Sequence, residues 1–365
     1  MSEKKSTTSQ TLSTASRHWR TLIDIFTSSK PKDQVSEKKK SRRASNATIP
    51  LIARLPPELL AEIFLLRVPT KPENMSDPGW ITVSHVSHHW RQTALLCPAF
   101  WATPIIRCPA LARMMISRSV PYPLVLRVSQ ANHAWSGAIS LLRKYPERLG
   151  VIDVHADQHI IKYLLARTEV ERRAAPLLRA VTIVNRSPFV GDAADAGVDV
   201  GMWLDEDMFL RNESAVRGGQ LHLECCAFPW TSAWYSQLAH LHLERLARTY
   251  HLPMPDLFAI LRRSRTLESL ALIDVWLEGK SDAALELPKL RELRVRAWDW
   301  MCIRLMAQLT LPAIERFQMV VVFDSEFNDK PGIQIFLPSV ATTPAFSDRV
   351  NVEMRGEEMH ISWSR

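Results

Sequence analysis

Leu238-Ala239-His240-Leu241-His242-Leu243 and, 29 residues further on, Leu267-Glu268-Ser269-Leu270-Ala271-Leu272 repeat one pattern: leucine, two variable residues, leucine, one variable residue, leucine. In an extended strand the last two leucines fall on one face and the residue between them on the other. A strand this short cannot bury two leucines alone, so the pattern asks for neighbours of the same kind. They are present. Leu149-x-x-Ile152-x-Val154, Leu178-x-x-Val181-x-Ile183, Leu290-x-x-Leu293-x-Val295 and Ile314-x-x-Phe317-x-Met319 fit it, and Leu221-x-Leu223 matches its second half.

Aligned on the central residue, the units follow one another at intervals of 29, 40, 20, 29, 23 and 24 residues. Most of these lie in the range of roughly 20–29 residues typical of leucine-rich repeats. Segments 139–145, 159–167, 255–263 and 301–309 between them read as short helices, so the body, 107–365, is expected to be a curved α/β solenoid of irregular repeats. An irregular sheet packed on helices is the open alternative. Regular repeats set Asn or Cys three positions after the last leucine. Here only Cys226 fits, and Leu246, Val275, Trp298 and Val322 are apolar, so an asparagine ladder is not expected to hold the turns.

The variable positions of such strands would share the concave face: His222, Glu224, His242, Glu244, Ala271, Ile273, Arg294, Arg296, Gln318 and Val320. The charged members His222, Glu224, His242, Glu244, Arg294 and Arg296 are the candidate substrate-binding residues. Their mixed signs suit a protein ligand better than a polyanion. A solvated face with no ligand is the other reading.

Upstream lies Ile49-Pro50-Leu51-Ile52-Ala53-Arg54-Leu55-Pro56-Pro57-Glu58-Leu59-Leu60-Ala61-Glu62-Ile63-Phe64. Prolines suit a first helical turn, whose amides lack acceptors, and Glu58 complements the positive helix end. A helix is therefore expected to start near Pro56. Its apolar stripe, Leu59, Ile63 and Leu66 flanked by Leu60 and Phe64, is wider than packing on one side needs, and implies a second partner. A proline-rich loop is expected over 69–79. After it, Val83, Val86, Trp90 and Ala94 recur at helical spacing, with Pro98, Phe100 and Trp101 just beyond.

Leu55, Pro56, Glu58, Leu59, Leu60, Ile63 and Phe64, then Val86, Trp90 and Arg91, then Trp101, together resemble the F-box. The resemblance covers residues 48–106 and is nearest to the F-box-like proteins of mushroom-forming fungi, whose bodies are divergent and leucine-patterned. Ser87-His88-His89 stands where Cys-Lys is usual before the Trp-Arg pair, and the loop between the helices is long. The resemblance implies a substrate-recognition subunit of a Skp–cullin–F-box ubiquitin ligase. Its F-box would bind a Skp-type adaptor, and through it cullin and RING subunits, while the body holds a target protein. Leu55, Pro56, Leu59, Ile63, Val86, Trp90 and Trp101 would contact the adaptor or hold the contact surface. A protein-interaction scaffold outside any ligase is the alternative, and an amphipathic helical hairpin the plainer reading of these residues.

Of the net charge of +8, +7 comes from residues 1–47, which hold eleven Lys/Arg and four Asp/Glu. The basicity belongs to a tail expected to be disordered, not to a nucleic-acid-binding face. Within it, Leu12, Ala15, Trp19, Leu22, Ile23 and Phe26 share one helical face, and Lys38, Lys39, Lys40, Arg42 and Arg43 read as an import signal or a solvated run. Five scattered cysteines, Cys97, Cys108, Cys225, Cys226 and Cys302, suggest reduced thiols. With no apolar run of membrane length, the expected location is cytoplasm or nucleus. His85, His88 and His89 lack a third ligand. Vicinal Cys225-Cys226 is expected in a strand and inert. Asp192, Asp195, Asp199, Asp205, Glu206 and Asp207 lack calcium-loop spacing and read as a solvated loop. Trp230, Trp234 and Tyr235 read as core or as a binding hot spot. No phosphate-loop or GxSxG motif occurs, so no enzyme, cofactor or metal is expected.

Overall fold

The computed structural model describes residues 51–130, 135–165, 175–187, 202–204, 218–236, 238–246, 251–279, 284–323 and 350–364. The chain divides into two compact units, Met1–Tyr122 and Pro123–Arg365. The tail with its helical patch and basic run, and the carboxylates Asp192 to Asp207, lie outside the described residues. No helix among the described residues is long and apolar enough to cross a membrane.

The first unit is helical. Helix α1 (Pro57–Leu65) starts with proline at its first position and Glu58 in its first turn. Sequence periodicity ran one helix through Val83, Val86, Trp90 and Ala94. The structure breaks it into a 3-10 helix, Pro78–His85, and helix α2 (His88–Leu95). Ser87 is the cause: its backbone is extended, and its Oγ accepts the Trp90 amide at 3.2 Å, which starts a new helix. The expected loop over 69–79 is partly wound too, with a 3-10 helix at Pro72–Ser76. Helix α3 (Pro109–Arg118) also belongs to this unit, so the expected boundary at 106 falls inside it. Leu60, Phe64, Trp80, Ile81, Phe100 and Trp101 form the core. The Phe100 ring meets Trp80 at 4.8 Å and Trp101 at 5.2 Å, both edge-on.

The second unit is mixed α/β, built on a ten-stranded, mostly parallel sheet. Eight parallel strands follow chain order: β1 (Leu124–Ser129), β2 (Leu149–Ala156), β3 (Ala180–Asn185), β5 (Gln220–Glu224), β7 (His240–Glu244), β9 (Ser269–Ile273), β12 (Glu292–Trp298) and β14 (Arg316–Val322). An antiparallel hairpin, β15 (Asn351–Arg355) and β16 (Glu358–Ser364), adds to β14. Three two-residue parallel pairs lie outside this sheet: β4 (Met202–Trp203) on β6 (Cys226–Ala227), β8 (Leu252–Pro253) on β10 (Leu277–Glu278), and β11 (Leu285–Glu286) on β13 (Leu309–Thr310). Helices α4 (Trp135–Lys144), α5 (Gln158–Leu165), α6 (Met254–Arg263) and α7 (Asp299–Met306) fall where short helices were expected.

The register aligns the repeats residue for residue. Ile152, Val181, Leu221, Leu241, Leu270, Leu293 and Phe317 are successive partners across the sheet, and all are buried. Strand β1 joins the row through Leu126, although its sequence lacks the leading leucine of the template.

The turns after three neighbouring strands share one device. Cys225, Arg245 and Asp274 all have φ between 50° and 54°, in the left-handed region that side chains other than glycine rarely adopt. Cys225 therefore does not sit in a strand, as sequence suggested; it parts β5 from β6. Each of the three still donates its amide to the next strand, to Glu244, Ile273 and Arg296 oxygens at 2.8–3.0 Å. The reversal buries the next side chain, Cys226, Leu246 or Val275, in place of an asparagine ladder. One asparagine does bridge a turn: Asn185 donates its amide to the Cys225 oxygen at 3.3 Å.

Truncating Leu293, fully buried, to alanine should cost about 2–5 kcal/mol in urea unfolding. Gln318→Ala, at an exposed position on the opposite face, should stay within about 0.5 kcal/mol. Equal losses at both positions would contradict the alternation.

Candidate functional site

Helix α1 is apolar on two sides. Leu60 and Phe64 point into the core, while Leu59, Ile63 and Leu66, spaced four and three residues apart, are exposed by 53%, 39% and 86%. Pro56 is exposed at the helix start, and Leu55 packs half-buried against the core. Val86 is exposed at the end of the 3-10 helix. Trp90 is half-buried, its ring 5.2 Å from Phe64. Trp101 is fully buried, donates Nε1–H to the Ala94 oxygen at 2.7 Å and lies under the Arg118 guanidinium. It cannot be touched from outside. The seven candidate residues thus split: Pro56, Leu59, Ile63 and Val86 are open, Leu55 and Trp90 support them, and Trp101 holds the core. His85, His88 and His89 are exposed on this unit.

In the second unit the register gathers the expected face residues. Asp153, Thr182, His222, His242, Ala271, Arg294 and Gln318 form one row across the strands, and His155, Val184, Glu224, Glu244, Ile273, Arg296 and Val320 the next. The face is largely paired with itself. Glu224 is buried in an ion pair with Arg245, which also reaches Glu244 at 3.7 Å. Arg294 pairs with Glu292, which is shared with Arg316. Arg296 contacts both Asp274 oxygens and also Glu358. An anionic ligand at Arg294 or Arg296 would have to displace these carboxylates. Ala271 is buried and Gln318 exposed.

The other half of the face holds histidines. His222 and His242, directly opposed, stack at 4.0 Å between ring centroids with planes 16° apart. His242 Nε2 lies 3.1 Å from Glu244 Oε2. Burial, with His242 and His155 nearby, pushes the His222 imidazole down to about 4. Burial also lowers His242, against the pull of Glu244. Sequence reasoning missed His155, whose Nε2 lies 3.1 Å from Asp153 Oδ1, and Arg245. His155 follows Val154 as Glu224 follows Leu223, so the repeat template carried the signal for it. Arg245 reaches the face only through its left-handed backbone, which no sequence pattern announced.

Trp230, Trp234 and Tyr235 are core, with Trp203 set edge-on to Trp230 at 5.8 Å. Met202 and Leu204 are buried as well, so the expected solvated stretch contains a packed strand. Burial pushes the Cys225 thiol up to about 11 and raises Cys226 further, which disfavours the thiolate of both. Compared with family models and with curated proteins, the sequence matches none.

The His222 shift fixes a pH dependence. The unfolded chain takes up this proton near 6.5 and the folded chain only near 4. Stability should therefore fall as pH drops through that window and be unaffected above it, by about 1–3 kcal/mol in all. In thermal melts from pH 7.5 to 4, His222→Gln should lose less of its midpoint than the parent chain; identical slopes would refute the assignment.

Proposed function

We propose that the chain is a substrate receptor of a Skp–cullin–F-box ubiquitin ligase, with the first unit as the F-box and the second as a leucine-rich-repeat-like solenoid that holds a target protein. The observation that carries this is α1. A helix that already fills a core with Leu60 and Phe64 has no internal use for Leu59, Ile63 and Leu66 at open positions. Burying such side chains on a partner stabilises the complex by roughly 1.5–3 kcal/mol each. The sequence resemblance to the F-box falls on the same helix, which makes a Skp-type adaptor the fitting partner.

Support for the solenoid comes from eight parallel strands in chain order, each bringing the same two apolar positions into register. The sheet face, mixed in sign along its length, suits a protein target more than a polyanion. Ubiquitin transfer would be catalysed by a partner enzyme.

Leu59→Asp combined with Ile63→Asp should weaken co-purification with a Skp-type adaptor at least about 100-fold, with the thermal midpoint nearly unchanged because both side chains are exposed. Undiminished capture would overturn the F-box assignment. Capture of adaptor without cullin would favour a scaffold working outside a ligase.

A further inference from the structure

Two imidazoles and a carboxylate meet on the sheet face, where Glu244 is already approached by His242 and Arg245. His222, His242 and Glu244 present donor atoms that all lie within 4.8 Å of one another. Two of the three side chains are fixed by register, since His222 and His242 are direct partners on β5 and β7, and Glu244 follows His242 on the same face. Among the described residues, the buried Nε2 atom of His222 has no hydrogen-bond partner. A buried polar atom left in that state is unfavourable, and a bound ion or water would satisfy it.

We propose that His222, His242 and Glu244 bind one divalent transition-metal ion of the Zn2+ class, with the remaining coordination position open. Two neutral imidazoles and one carboxylate are a donor set that borderline ions of this class accept. With Zn–N near 2.0–2.1 Å, tetrahedral donors stand about 3.3 Å apart, within reach of side-chain rotation from the separation seen here. Because the rings stack nearly parallel, at least one imidazole must swing out of the stack before both in-plane lone pairs can point at one ion. Arg245 holds the Glu244 carboxylate from the side, and Glu224, buried beneath Arg245, offsets part of the added positive charge.

The test is calorimetric titration of the full chain, stripped with a chelator, with Zn2+, and with Co2+ followed by its visible bands. One equivalent should bind, and His222→Gln, His242→Gln and Glu244→Gln should each weaken binding at least about tenfold. His88→Gln with His89→Gln, on the other unit, should leave it unchanged. Circular dichroism confirms that each variant is folded. Should His222→Gln unfold, Glu244→Gln, at a partly open carboxylate, reads the same site. Absence of saturable uptake, or uptake undiminished in folded variants of these three residues, would overturn the proposal.

Discussion

Everything in the second unit depends on keeping one row of apolar side chains in step across parallel strands. Ile152, Val181, Leu221, Leu241, Leu270, Leu293 and Phe317 are each other's partners, and a second row, Val154, Ile183, Leu223, Leu243, Leu272, Val295 and Met319, lies two residues further on. No single strand of five to eight residues can bury its own pair, so the stability of each is borrowed from both neighbours. A slip of one residue would turn both rows to solvent, and the register is correspondingly rigid. That rigidity is what makes the opposite face usable: residues that never meet in sequence are delivered side by side at strand spacing.

The face so delivered has two halves with different chemistry. Toward β12 and β14 the arginines are consumed by Glu292, Asp274 and Glu358, and the charges cancel locally. Toward β5 and β7 the stacked histidines stay neutral, because protonating both at 4.0 Å would set two cations together while partly removed from water. Between the halves, Ala271 and Ile273 of β9 carry no charge. The arginine half is therefore closed to a simple anion, while in the other half the imidazoles keep their lone pairs beside the Glu224, Glu244 and Arg245 charges.

Much of this was legible because the template repeats. Spacing placed seven of the eight parallel strands and named their inward residues, and periodicity located the short helices between them. Strand β1 escaped because its leading leucine is missing, and the β15–β16 hairpin because its alternation belongs to antiparallel pairing with no repeat to compare. The turns were harder. Apolar residues at Leu246 and Val275 correctly argued against an asparagine ladder, but the left-handed residue before each is set by tertiary pairing of its amide, which composition does not encode. In the first unit the one-helix expectation failed on Ser87, where a side-chain oxygen competing for a backbone amide outweighed helical periodicity.

The two-sided helix α1 poses the sharper physical question, since exposed leucines are ordinary singly and unusual in a stripe. Leu59, Ile63 and Leu66 cannot be exchanged with Leu60 and Phe64 by rotating the helix, because Phe64 is locked between Trp90 and Phe100 at 5.2 and 6.0 Å. Trp101 in turn holds Phe100 edge-on and ties its indole to the end of α2. The buried aromatic cluster therefore fixes which side of α1 stays outside. Trp90 and Trp101, two of the seven candidate residues, act inward, and the stripe they hold in place stays open.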